Sequence, residues 1–149
     1  MKTAIVYVSA HHGNTKKLVD AISKRTDVVL INADETDRAD LQQFDYIGFA
    51  SGVAYGRYYP QLLSFMECSL PEHKNVFFMH TAGNPMENYN AAAKAIADAR
   101  SCRCLGTYFC KGYDTCLPIM LIDGIAKGHP DTEEVQGAWD FFDNIMKAG

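Results

Sequence analysis

The sequence lacks any long apolar run. Charged residues or glycines interrupt each apolar stretch before it approaches the roughly 20 residues that a membrane helix needs. A secretory signal is also missing, because the apolar stretch after Met1 is too short for the core of a signal peptide and no small-residue cleavage pattern follows it. From these two absences we expect a cytoplasmic protein with no membrane partner.

Basic residues are not in excess either. The formal net charge is -4, charged residues make up 21% of the chain, and Lys and Arg are scattered rather than clustered. Because a nucleic-acid partner calls for a clustered basic patch, we expect none. Since 48% of the 149 residues are hydrophobic, the chain can bury a core without disulfides or metals. We therefore expect a single domain over residues 1–149.

The cysteines do not form the paired loops of a zinc site. The chain has five of them, at Cys68, Cys102, Cys104, Cys110 and Cys116. Zinc loops usually hold two cysteines two to four residues apart, opposite a second pair, whereas Cys102 and Cys104 are separated by one residue. Reduced thiols and no metal are the expectation. A zinc site, or a redox pair between Cys110 and Cys116, is the alternative.

What the sequence does contain is an alternation of strand and helix patterns. Short apolar, β-branched or aromatic runs predict strands over 4–8, 28–31, 46–50, 76–79 and 105–110. Helical spacing follows Thr15 and Pro60, runs through 91–99, and recurs from Val135 to Met146 behind Asp131 or Thr132 as a cap. This order predicts an α/β fold with a parallel sheet between helices. Ligands of such folds bind beyond the carboxyl ends of the strands, where the strand order reverses.

The loop after the first strand has the composition of a phosphate site. It contains Ser9, Ala10, His11, His12, Gly13, Asn14 and Thr15. N–H groups at a helix start carry the positive end of the dipole and stabilise an anion. The dinucleotide fingerprint and the Walker loop are excluded, because the first needs three spaced glycines and the second needs Gly-Lys-Ser/Thr. The alternative is a plain helix start that Asn14 or Thr15 caps.

Two further loops have the composition expected around a flat ring. The loop after the third strand contains Ser51, Gly52, Val53, Ala54, Tyr55 and Gly56. Its glycines allow a close backbone approach, and its aromatics can stack on a ring. The loop after the fourth strand begins with His80, Thr81, Ala82 and Gly83. We expect the small residues there to offer backbone N–H groups, and His80 to be a hydrogen-bonded core residue.

A first strand followed by Ser, a short spacer and Gly-Asn-Thr is similar to the phosphate loop of flavodoxins, and the resemblance covers nearly the whole chain. It implies a doubly wound five-stranded parallel sheet in the order 2-1-3-4-5 with FMN as the cofactor. It also implies that the Gly56 carbonyl faces flavin N5, with Gly52 as the alternative. The cofactor-binding candidates are Ser9, His11, His12, Gly13, Asn14, Thr15, Ser51, Gly52, Val53, Ala54, Tyr55, Gly56, Thr81, Ala82 and Gly83.

The chain departs from electron-carrier flavodoxins at several positions. The spacer before Gly13 is one residue longer than in many of them, and Arg57 stands where many have an acidic residue. A nearby guanidinium would stabilise a reduced, anionic flavin. For the outer face of the ring, Tyr89 is the nearest aromatic. The alternatives are Met86, Tyr113 or an outer face that is open to substrate.

The function expected from the sequence is an FMN-binding redox protein that transfers electrons to a redox partner protein or a small-molecule acceptor. An NAD(P)H-dependent flavin or quinone reductase on the same fold is the first alternative. A receiver-like signalling module is the second. A receiver needs acidic residues after the first strand and an Asp after the third, where this chain has Ser9 and Ser51.

Overall fold

The computed structural model of the chain describes residues 2–9, 13–112 and 128–148. The strands are β1 (Thr3–Val8), β2 (Val29–Asn32), β3 (Tyr46–Ala54), β4 (Arg57–Tyr58), β5 (Asn75–Ala82) and β6 (Arg103–Lys111). The helices are α1 (Asn14–Ser23), α2 (Pro60–Ser69), α3 (Ala91–Ala99) and α4 (Thr132–Ala148), with a single 3₁₀ turn over Glu87–Asn90. None of the helices described is long and apolar enough to cross a membrane.

Five of the strands form a parallel sheet in the order β2-β1-β3-β5-β6. The predicted strand order is confirmed. Its fourth and fifth strands are β5 and β6, because the short β4 pairs antiparallel with the end of β3 and stands outside that order. The chain passes from β1 to β2 on one side and then to β3 on the other side. The order therefore reverses between β1 and β3, where ligands of this architecture bind.

Each face of the sheet carries its own apolar core. Helices α2 and α3 pack on one face through residues such as Leu62, Phe65 and Ala93. Helices α1 and α4 cover the other face, where Leu18 and Phe142 belong to the second core. Successive β1 residues alternate between the two cores, which accounts for the continuous apolar run of that strand. The prediction of helices on both faces is confirmed.

Strands β3 and β5 are longer than the sequence pattern predicts. The predicted third strand ends at residue 50, whereas β3 continues to Ala54 because Val53 and Ala54 pair with Tyr58 and Arg57 of β4. The predicted fourth strand ends at residue 79, whereas β5 continues through pairing with β6 as far as Ala82. Residues predicted to lie in two loops are therefore the last residues of two strands.

The start of α4 follows the predicted capping pattern. The Glu134 N–H donates to Asp131 Oδ1 at 2.9 Å, and the Asp131 N–H donates to Glu134 Oε1 at 3.0 Å. This reciprocal pair satisfies two N–H groups at the start of the helix. Of the two caps that the sequence left open, the structure selects Asp131.

Candidate functional site

The first segment of the candidate site is the turn into α1. Gly13 has a φ of 66° and occupies the N-cap position of the helix. It therefore supplies no side-chain hydrogen bond to the first turn. The Lys16 N–H instead donates to Ser9 Oγ at 3.0 Å. Gly13 thus lies at the N-cap in place of Asn14 or Thr15, and Ser9, directly after β1, accepts a hydrogen bond from the first turn of α1. His11 and His12 lie outside the described residues.

Thr15 joins this helix start to the end of β5. Thr15 and Thr81 are both almost fully buried, and their Oγ1 atoms share a hydrogen bond of 3.1 Å. The predicted first and third segments are thus brought together at the carboxyl edge of the sheet. Ala82 and Gly83 continue from Thr81 along this edge, where Gly83 is buried and Ala82 half-buried.

Gly112 is a residue of this junction that sequence reasoning missed. It directly follows β6, and its N–H donates to the Ala82 carbonyl at 2.9 Å. A Cβ added at Gly112 would lie 2.9 Å from Thr81 Cβ and 2.9 Å from Asn14 Nδ2. Only a residue without a side chain fits between these two neighbours. A glycine just beyond the last strand was the available signal, but its neighbours are 30 or more positions away in the sequence.

We expect Gly112→Ala to weaken both folding and ligand binding at this junction. Overpacking of a tight contact typically costs about 1–3 kcal/mol of stability, and relief of the clash would displace Asn14 and Thr81. Chemical denaturation measures the first effect, and titration with FMN, the cofactor that the resemblance implies, measures the second. Gly106→Ala is the control, because φ there is 150° and a new Cβ would lie 3.2 Å from Phe141, away from this junction. Equal flavin affinity in both variants would contradict the assignment of Gly112.

The second segment is the hairpin of β3 and β4. Tyr55 and Gly56 form its two-residue turn, with φ angles of 55° and 75°. Positive φ at both positions is typical of the two-residue turns whose twist matches that of the paired strands. Tyr55 is fully exposed at the tip. Val53 and Ala54 lie half-buried in the strand that leads to it. The hairpin thus presents one aromatic side chain and one glycine to solvent at the carboxyl edge.

Ser51 and Gly52 hold the base of this hairpin together. Ser51 is completely buried, and its Oγ donates to the Gly52 carbonyl at 2.6 Å and accepts from the Tyr59 N–H at 3.1 Å. A Cβ at Gly52 would lie 2.8 Å from the hydroxyl oxygen of Tyr59. These contacts of Ser51 and Gly52 are with neighbouring residues of the hairpin and with Tyr59. They fix the position at which the hairpin leaves the sheet.

His80 lies at the centre of an aromatic cluster beside the hairpin. Its side chain is fully buried, and it stacks on Phe109 of β6 with 5.3 Å between the ring centroids and 8° between the planes. Tyr58 and Tyr89 contact it from two other sides. Burial lowers the pKa of His80 to about 4, so the ring is neutral at ordinary pH. The prediction of a hydrogen-bonded core histidine is confirmed.

Beyond the end of β6, Glu134 holds two chain segments together. Its Oε2 accepts from the Lys111 N–H at 3.0 Å, and its other oxygen bonds to His129 Nδ1. Burial acts to raise the pKa of Glu134, but the hydrogen bonds from His129, Asp131 and Lys111 outweigh it and hold the pKa below its usual value. Burial and nearby carboxylates raise the pKa of the Cys110 thiol to about 12. That thiol is therefore protonated at neutral pH, and Cys116, its partner in the alternative redox pair, lies outside the described residues.

Three other positions from the sequence analysis lie away from this junction. Arg57 lines an open groove between α2 and α3. The Cys102 thiol lies 3.4 Å from the Pro71 carbonyl, and the Cys104 thiol lies 3.7 Å from Asp98. Tyr113 falls outside the described residues.

Comparison with known proteins agrees with this architecture. Residues 4–103 match the Flavodoxin domain family. An uncharacterized protein of Methanocaldococcus jannaschii is 29% identical over 99% of both chains. Flavodoxin 2 from Bacillus cereus has a similar structure, with a TM-score of 0.67, 16% identity and complete coverage of both chains. A flavoprotein in complex with FMN from Lactobacillus acidophilus covers 72% of this chain and 92% of its own, with a TM-score of 0.54 and 20% identity.

The family match extends from β1 to the start of β6 and so includes the turn into α1, the hairpin and the end of β5. These are the three segments that the fold brings to the carboxyl edge of the sheet. The resemblance seen in the Ser and Gly-Asn-Thr pattern is therefore confirmed over most of the described chain. This chain belongs to the flavodoxin family.

Proposed function

We propose that this protein binds FMN and acts as a redox protein in electron transfer. The observation that carries the proposal is the convergence of the α1 start and the end of β5, through the Thr15–Thr81 hydrogen bond. Both lie at the carboxyl edge of the sheet, beside the point where the strand order reverses. An acidic ligand with a flat ring, such as FMN, matches a site that has a helix start at one end and a hairpin with a glycine at the other.

The helix start fits the phosphate group of FMN. The helix α1 has ten residues, and the N–H groups of a first turn have no partner within their own helix. Ser9 Oγ accepts from Lys16, which leaves its own proton available for an anion. Gly13 has no side chain that would block the approach, and no atom of the described residues lies within 4 Å of the position that a Cβ would take there. In the proposal, Ser9, Gly13, Asn14 and Thr15 hold the phosphate.

The hairpin and the end of β5 fit the ring of FMN. Tyr55 is free of the core at the hairpin tip and has an aromatic face that can stack. On the other side, Ala82 and Gly83 offer backbone groups with small side chains, which allow a polar ring edge to approach. When bound, FMN supplies the exchange of one or two electrons, and the protein supplies binding and orientation.

A titration of the purified protein with FMN tests this function. We expect one FMN to bind per chain, with quenching of its fluorescence and a shift of its visible absorbance. Photoreduction of the complex, followed by mixing with an electron acceptor, then measures electron transfer. A protein that binds neither FMN nor riboflavin would refute the proposal at its first step.

The reductase alternative differs in its electron donor. A reductase would oxidise NADH or NADPH in the presence of FMN and a quinone, with turnover that depends on the nicotinamide. For an electron-transfer protein we expect reduction by a partner protein or a chemical reductant, and no turnover with either nicotinamide. Steady-state assays with both donors and several quinones therefore separate the two functions.

A further inference from the structure

We propose that His80 is a positioning residue that fixes the distance between the two segments that flank the flavin ring. The inference rests on the proposed function, because it concerns how the ring site is held. His80 belongs to β5, but its two ring nitrogens contact residues from two other segments. Nδ1 lies 2.8 Å from the hydroxyl oxygen of Tyr58, and Nε2 lies 2.7 Å from the Met86 carbonyl oxygen.

The chemistry of the partners determines the protonation of each nitrogen. A carbonyl oxygen can only accept, so His80 Nε2 carries the proton and donates to Met86. In the neutral ring Nδ1 then has a lone pair, and the Tyr58 hydroxyl donates to it. The chain of bonds therefore runs in one direction, from Tyr58 through His80 to Met86.

These partners lie on the two sides of the proposed ring site. Tyr58 lies in β4, the strand that follows the Tyr55–Gly56 turn, and it pairs with Val53 of β3. Met86 follows Gly83 in the segment after β5. His80 thus links the hairpin to this segment directly. A change in either bond would change how far apart the two segments lie.

Ring packing adds a second link between the same segments. Tyr89, in the 3₁₀ turn after Met86, lies with its centroid 6.0 Å from that of His80. A Cβ at Gly56 would lie 3.8 Å from Tyr89 Cε1, so the hairpin turn rests on this ring. Phe109 stacks on His80 from β6. Since His80 is completely buried, it has little freedom to adjust when a partner is removed.

The test compares Tyr58→Phe with a matched control. Tyr58→Phe removes the hydroxyl that donates to His80 and preserves the ring. Tyr108→Phe removes the hydroxyl that donates to the Glu134 carbonyl at 2.6 Å on the opposite face of the sheet. Each variant loses hydrogen bonding within the protein, and circular dichroism tests whether each is folded. We expect only Tyr58→Phe to weaken the binding of riboflavin and of FMN, by the same factor of about 3 to 10.

A purely structural role would give a different pattern. In that case Tyr58→Phe and Tyr108→Phe would lose similar stability, and neither would change riboflavin affinity, the visible spectrum or the reduction potentials of the bound flavin. That result would overturn the inference while FMN binding by the unmodified chain upheld the proposed function. If the unmodified chain bound no flavin, the proposed function and this inference would both be refuted.

Within the same experiment, two substitutions of His80 separate its two bonds. In His80→Asn the side-chain oxygen occupies the position of Nδ1 and keeps an acceptor for Tyr58. In His80→Gln the side-chain amide reaches the position of Nε2 and keeps a donor for Met86. We expect both to bind riboflavin more weakly than the unmodified chain and to shift the flavin reduction potentials. Unchanged affinity and potentials in both variants would contradict a positioning role.

Discussion

Replacing Asn14 and Thr15 together with alanine is expected to lower FMN affinity by about 100-fold, while riboflavin affinity falls far less. Hydrogen bonds to a charged group contribute about 1.5–3 kcal/mol each, and the two side chains lie in the first turn of α1. Riboflavin lacks the phosphate but has the same ring. Fluorescence titrations with FMN and with riboflavin measure the two losses of affinity directly.

A control separates phosphate binding from the loss of internal contacts. Thr15→Ala also removes the hydrogen bond to Thr81. Thr81→Val removes the same bond from the other side and leaves the first turn of α1 unchanged. We expect Thr81→Val to affect FMN and riboflavin equally. If the double variant also lost affinity equally for the two ligands, the phosphate would have to bind elsewhere.

The second large effect concerns pH and His80. Burial lowers the pKa of His80 from 6.5 to about 4 in the folded chain. Between these two values the unfolded chain binds a proton that the folded chain does not, so stability falls as the pH falls. The stability that depends on a neutral His80 is fully present above about pH 6.5 and is lost by about pH 4. This loss lowers the free energy of unfolding by about 3 kcal/mol. Urea denaturation at a series of pH values measures this slope.

The variant His80→Asn isolates this contribution from other titrating groups. The asparagine side chain does not ionise, so the variant does not lose stability through this group as the pH falls. We therefore expect the difference in stability between the variant and the unmodified chain to shrink from about pH 6.5 to about pH 4. The NMR signals of the His80 ring offer a direct check, because they should remain those of the neutral Nε2–H form at pH 5. A ring that protonates near pH 6.5 would contradict the buried, hydrogen-bonded state.

Much of the fold follows from local patterns in the sequence. The run 4–8 has apolar residues at every position and predicts a strand covered on both faces, as found for β1. Asp131 precedes an apolar helical pattern with a Glu three residues later, and it caps α4 as expected. In each case the deciding interaction lies within a few residues or follows from a repeated spacing.

The hairpin was not predicted because its turn has an unusual sequence. Turns of this kind most often contain Asn-Gly or Asp-Gly, whereas here Tyr55 adopts the left-handed conformation before Gly56. Without an Asn-Gly or Asp-Gly turn, the sequence pattern predicts a loop from Ser51 to Ala54. Pairing with β4 extends the strand and turns the Ser51 hydroxyl inward to Tyr59.

The sequence by itself determined the fold class, the strand order implied by its resemblance and the edge of the sheet where a ligand would bind, because spacing and turn composition are local properties. Tertiary structure decided which groups meet at that edge. Thr15 meets Thr81, Gly112 fits beside them, and His80 joins Tyr58 to Met86. Most of these contacts join residues far apart in the chain, so they depend on how the strands pair and which face each side chain takes.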